Sequence, residues 1–207
     1  MKSLWIIFIL VFIVDIGDTK LLKGLKEKLI DSPFAKCNVR KSECTISQLT
    51  NEPRDIKKIS QKLDLKRIKT LKFTNSVLWE FPRELITKPS KIENLYINNL
   101  GLQQIILYDL KFFPSLKVII ASENSIESLP QELFDKTPNI EKLDFRDNRL
   151  SEIDMGSLLA LKNLRFLDLT GNVCIDEKYD FKDEKQMTKA SNTIVQSCFP
   201  DNYQLQL

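Results

Sequence analysis

Two carboxylates in this sequence could act as a pair. Asp144 and Asp168 are 24 residues apart and hold the same place in two similar segments, EKLDFRD and RFLDLTG. If those segments are neighbouring strands, their backbones lie about 5 Å apart. Two acids that close could share a proton, as catalytic dyads do. Lys142 and Arg146 flank Asp144 on the same face, however, and exposed mixed charges ordinarily form solvated ion pairs and nothing more. The rest of the chain gives catalysis little support. There is no histidine, which removes the commonest general base and the commonest metal ligand. There is no glycine-rich phosphate loop and no Cys-x-x-Cys pair. The expectation is therefore a protein that is not an enzyme and that takes no metal and no cofactor.

The elements that would position such residues follow from an internal repeat. The pattern LxxLxLxxNxL matches at Ile68 (IKTLKFTNSVL), Ile92 (IENLYINNLGL), Leu116 (LKVIIASENSI), Ile140 (IEKLDFRDNRL) and Leu164 (LRFLDLTGNVC), with starts 24 residues apart four times in succession. A fixed period of this size marks a stacked repeat architecture. The middle of each match alternates as a strand must. Leu71, Leu95, Ile119, Leu143 and Leu167 should point inward as one column, with Phe73, Ile97, Ala121, Phe145 and Leu169 as a second. No single repeat can bury its apolar face alone, whereas five stacked repeats bury a continuous core and pair their strands in parallel. Asn124, Asn148 and Asn172 hold the ninth position, where an amide can both donate to and accept from turn backbone. The first two repeats have Ser76 and Leu100 there, so an asparagine ladder is expected only in the last three.

Length and composition agree with one such domain. The chain has 207 residues, 43% apolar and 29% charged. Its net charge of +3 is small and reads as spread along the chain, so no nucleic-acid partner is expected. Lys2 followed by the eleven-residue apolar run Leu4–Val14 has the layout of a secretory signal. The run is too short for a membrane-spanning helix of about 20 residues, so stable membrane insertion is not expected. Residues 1–17 are assigned as signal peptide, with a cut near Gly17; an uncleaved signal anchor is the rival. The C-terminal DNYQLQL has no hydrophobic tail of the kind exchanged for a lipid anchor. Residues 18–36 form a leader with Leu21, Leu22, Leu25 and Leu29 on one helical face and lysines elsewhere. It is read as a short element ended near Pro33 rather than a membrane-surface helix.

The segments quoted above, with DLKFFPSLKVIIASENSIESLP and LDLTGNVCID, resemble the extracellular leucine-rich-repeat proteins of the 24-residue class, especially small secreted members common in insects. The resemblance covers about residues 37–200. It implies an α/β solenoid, a right-handed curved superhelix with a parallel β-sheet on the concave face. Residues 37–66 are expected to cap the N-terminal end, with a hairpin from Cys37 to Cys44 and a strand at Cys44–Ile46. Residues 67–174 hold the five repeats. Residues 175–200 cap the other end, with a helix near Asp183–Val195 that turns Met187, Ala190 and Ile194 to one side, and 201–207 form a tail. An even cysteine count after a signal suggests disulfides. In an elongated fold only the local pairs, Cys37–Cys44 and Cys174–Cys198, come within bonding reach.

The resemblance implies a secreted module that binds an extracellular protein or glycan, in innate immunity or, alternatively, as a matrix or inhibitory protein. The outward residues of the sheet form three columns: Thr70, Asn94, Val118, Lys142 and Phe166; Lys72, Tyr96, Ile120, Asp144 and Asp168; and Thr74, Asn98, Ser122, Arg146 and Thr170. Tyr96, Val118 and Ile120 make an apolar centre, flanked by Lys142, Asp144 and Arg146. Phe166 is a second anchor if the cap leaves it open. Grouped apolar residues on a polar sheet mark a contact surface.

Overall fold

The computed structural model describes the backbone of residues 35–38 and then residues 41–198. The expected signal peptide and nearly all of the leader lie outside the described residues. The described residues all belong to one compact unit.

Strand β1 (Ala35–Asn38) pairs antiparallel with β2 (Glu43–Ser47), and Cys37 faces Cys44 in their register. Cys44 is disulfide-bonded; the side chain of its expected partner, Cys37, lies outside the described residues. Helix α1 (Pro53–Lys62) follows, opened by a proline that needs no amide partner at that position. Ile56 and Ile59 lie one turn apart on its face and are both buried. Each later repeat then gives one short strand of the main sheet: β3 (Thr70–Thr74), β4 (Asn94–Tyr96) and β5 (Val118–Ile120). The opposite side carries a 3-10 turn at Arg83–Leu85, helix α2 (Leu107–Leu110) and the two-residue strand β6 (Ser128–Leu129). Strand β7 (Lys142–Asp144) continues the sheet, while β8 (Glu152–Ile153) pairs with β6 and leads into helix α3 (Met155–Leu159). Strand β9 (Phe166–Asp168), the antiparallel β10 (Lys178–Asp180) and helix α4 (Glu184–Cys198) end the described chain.

The main sheet has eight strands in the order β1-β2-β3-β4-β5-β7-β9-β10. The six from β2 to β9 are parallel and in register, so Cys44, Leu71, Leu95, Ile119, Leu143 and Leu167 stack as one buried column. The fold is a leucine-rich-repeat α/β solenoid, as the period predicts. A core of Phe73, Phe81 and Phe113 in edge-to-face contact, at 6.0 and 6.1 Å between ring centres, links successive repeats behind the sheet. Cys174 and Cys198 are joined by a disulfide that ties the end of α4 to the fifth repeat, and Ala190 and Ile194 are buried beneath the helix.

The asparagines do the expected work. Asn124 Oδ1 accepts from the amides of Leu100, Gly101 and Leu102, and its Nδ2 donates to the carbonyls of Ile97, Ala121 and Ser122. Asn148 and Asn172 repeat the motif one and two turns on. Ser76 performs a reduced version, accepting from Leu49 and donating to Thr74. A second column accompanies them. Gln48, Asn75, Asn99, Glu123, Asp147 and Gly171 each leave the strand with φ between +49° and +68°. A β-carbon on Gly171 would sit 2.5 Å from Asp147 Oδ1, which accounts for glycine there.

Candidate functional site

Side chains alternate along each strand, so inward residues commit every second residue to the open face. In register, Tyr96 neighbours Ile120, Ile120 neighbours Asp144, and Asp144 neighbours Asp168; beside them run Asn94, Val118, Lys142 and Phe166. Seven of the eight residues expected to form the binding face therefore lie on four adjacent strands, and Arg146 follows two residues after the end of β7. Tyr96, Val118, Ile120, Lys142 and Phe166 are half-buried, and Arg146 is exposed.

The two carboxylates differ from expectation. Their flanking charges predict a solvated cluster, yet Asp144 is only 6% exposed and Asp168 only 3%. Crowding by neighbours on the sheet is the cause. Arg146 folds back over Asp144, with its Nε 3.7 Å and its own amide 3.3 Å from Asp144 Oδ1. Asp168 Oδ1 accepts from the hydroxyl and amide of Thr170 at 2.7 and 3.2 Å, and Lys178 Nζ lies 3.5 Å from its other oxygen. The two acids consequently titrate in opposite directions. Burial pushes the Asp144 carboxyl up; the amide and charge of Arg146 hold it down, the Asp168 charge pushes it up further, and the net shift is upward. Burial acts upward on Asp168 as well, but the Thr170 hydrogen bonds and Lys178 outweigh it and hold the carboxyl below its usual value.

The C-terminal cap reaches half-buried Phe166 through β10, where Asp180 pairs with it and Lys178 approaches its ring. The ring carries two ammonium groups, Lys142 Nζ at 4.4 Å and Lys178 Nζ at 4.9 Å from its centre. Such contacts contribute about 0.5–1 kcal/mol each at exposed sites. Tyr96 has one similar neighbour, Lys72 at 5.1 Å, which also approaches Glu43 of β2 at 3.5 Å. Lys178 and Glu43 join this surface without having been expected there, whereas Thr170 stands in an expected outward column. The alternation of Lys178, Tyr179 and Asp180 beside a cap is a faint strand signal, and nothing local shows that β10 returns to pair with β9. Ser122 Oγ, between these zones, is buried without a partner among the described residues.

The arrangement suits recognition. It presents an apolar strip, a ring held by cations and a paired set of charges on strands that have little freedom to move. Among the described residues no group of His, Cys, Asp and Glu is placed to hold a metal ion.

Comparison with known proteins places the fold in the same class. Residues 114–173 match the leucine rich repeat family model. Over 84 residues the chain is 34% identical to the transforming growth factor beta activator LRRC32 of Mus musculus, a stretch that is 39% of this chain and 13% of that protein. The chain thus spans a small part of that curated relative. Among solved structures, a leucine-rich-repeat protein of Leptospira interrogans superposes with a TM-score of 0.52 at 20% identity, covering 71% of this chain and 33% of that one. The leucine-rich repeat domain of LRIM1 gives 0.47 at 17% identity, over 67% and 48% of the two chains. The chain is, on fold and repeat motif together, a leucine-rich-repeat solenoid.

Proposed function

We propose that this protein is a secreted binding module that recognises an extracellular protein through the open face of its sheet. The observation that carries the reading is the half-buried apolar strip in which Tyr96 pairs in register with Ile120, with Val118 on the same strand as Ile120, two strands from the cation-held ring of Phe166. Aromatic and arginine side chains dominate measured hot spots, where truncation often costs about 2 kcal/mol or more. Side chains held in place before binding lose less entropy when a partner arrives. Lys142 and Arg146 border the strip and suit a partner with an acidic rim around an apolar anchor. The curated relative is by name an activator of a growth factor, which supports a protein as the class of ligand. The secretory layout of residues 1–17 supports an extracellular setting.

The test starts from capture of a partner from the fluid of the secreting tissue, followed by titration of the purified pair. Tyr96→Ala combined with Ile120→Ser should weaken binding at least tenfold, by the hot-spot magnitude, while the melting temperature stays nearly constant. Affinity that survives this change and falls on truncation of residues 18–36 would move recognition to the leader and end the sheet-face reading.

A further inference from the structure

The net charge of +3 conceals an asymmetry. Residues 53–91 carry eleven Lys and Arg against four Asp and Glu, whereas residues 92–207 carry twelve against eighteen. The charge is not spread along the chain, as the small total suggested. It gathers on α1, the segment after it and the first repeat. Part of it is neutralised locally: Lys58 pairs with Asp55 at 3.4 Å, Lys69 with Glu93 at 2.8 Å, and Arg83 with Glu80 and the buried Asp109 at 3.7 and 3.3 Å.

Lys66, Lys88 and Lys91 are different. All three are exposed, and none has a carboxylate partner among the described residues. All three line one groove of about 440 Å³, which opens between the chain leaving α1 and the loop after the 3-10 turn. Leu63 and Leu65 pack against the core beneath it. Asp64 is the one carboxylate of the lining, and its Oδ1 is engaged by the backbone amide of Lys66 at 3.1 Å.

We propose that this groove binds a sulfated polysaccharide chain, at a site separate from the sheet face. Three ammonium groups lining one groove, without a carboxylate partner among the described residues, concentrate positive charge that complements the several sulfate esters of such a polymer. Unspecific binding of single-stranded nucleic acid relies on aromatic platforms for the bases, and the lining has no aromatic residue. A bilayer surface is flat and is gripped by apolar side chains entering it. The large exposed apolar residues of the described chain are Val77, Trp79, Tyr108, Leu159, Val173 and Val195, none of which lines the groove.

The test is a fluorescence-anisotropy titration of the full chain with a size-defined heparin oligosaccharide at physiological ionic strength. Controls are the same oligosaccharide desulfated, a single-stranded oligonucleotide of equal charge and vesicles containing phosphatidylserine. The sulfated chain should bind, and binding should fall steeply with added salt as released counterions are restored. Lys66→Gln, Lys88→Gln and Lys91→Gln together should weaken it by about tenfold or more, since each removes one charge contact. Lys136→Gln, Lys162→Gln and Lys185→Gln remove equal charge from exposed positions elsewhere and should change affinity less than about twofold. Melting temperatures should match, because none of the six lysines makes an ion pair among the described residues. Equal loss in the two triple variants, equal or tighter binding of the oligonucleotide or the vesicles, or no binding of the sulfated chain each overturns the proposal.

Discussion

Replacing Asn124 by alanine should destabilise the protein about twice as much as the same change at Asn148, although the two occupy equivalent positions in the repeat. Both side chains are buried, at 9% and 7% exposure, so the cavity left by truncation is nearly the same and cancels in the comparison. The donor ends differ at one oxygen, the buried Ile97 carbonyl, which accepts from Asn124 alone and only widens the gap. The Ala121 carbonyl accepts from both asparagines, and the Phe145 carbonyl from both Asn148 and Asn172, so losing Asn148 orphans neither oxygen. The acceptor ends differ. Asn148 Oδ1 receives one amide, that of Ile126 at 3.1 Å, whereas Asn124 Oδ1 receives three, from Leu100, Gly101 and Leu102 at 3.0 to 3.1 Å. Gly101 is exposed and can turn to water, which leaves two buried amides orphaned at Asn124 and one at Asn148. An orphaned buried donor costs about 1–3 kcal/mol, so Asn124→Ala should cost about 4 kcal/mol and Asn148→Ala about 2 kcal/mol. Urea denaturation followed by circular dichroism, with linear extrapolation to water, reads both values. Hydrogen exchange should show lost protection at the Leu100 and Leu102 amides in the first variant and at Ile126 in the second. Equal costs, or a larger cost at Asn148, would refute the reasoning that acceptor occupancy sets the strength of each rung.

Three further predictions concern charge and covalent structure. Asp144 holds its proton more tightly folded than unfolded, so its ionisation is a cost that appears as pH rises through its folded pKa; Asp144→Asn should stabilise the protein at neutral pH, with the gain vanishing in acid. Asp168 has the opposite sign: it contributes stability above its unfolded pKa that is lost as pH falls through the lower folded value, so Asp168→Asn should destabilise at neutral pH and do little in acid, both measured by urea titration across pH. Cys174→Ser opens the loop whose cysteines stand 24 residues apart and should cost about 2–4 kcal/mol, with proteolysis of α4 preceding global unfolding.

The sequence by itself determined what repeats. A leucine or isoleucine at every twenty-fourth residue, from Leu71 through Ile119 to Leu167, specifies an inward column, and each inward residue commits its neighbours to the open face. The stack from Leu71 to Leu167 and the apolar strip of Tyr96, Val118 and Ile120 were therefore legible from spacing alone. In a solenoid each repeat meets only its neighbours, so a one-dimensional pattern carries nearly all of the packing. The same logic limited the asparagine ladder to the last three repeats. Tertiary structure decided what the period does not reach. Helix α1 and strand β10 belong to the ends, where each segment occurs once and no recurrence reveals its place. The cation beside Asp168 is Lys178, which arrives from β10, a non-repeating segment, and the one beside Asp144 is Arg146, whose side chain stays exposed while its Nε approaches the carboxylate. Phe166 is held by cations for the same reason, since Lys178 becomes its neighbour only when the chain turns back antiparallel after the last repeat. Whether a charge on the open face is solvated or buried depends on the side chains that close over it, and those distances exist only once the ends have folded onto the stack.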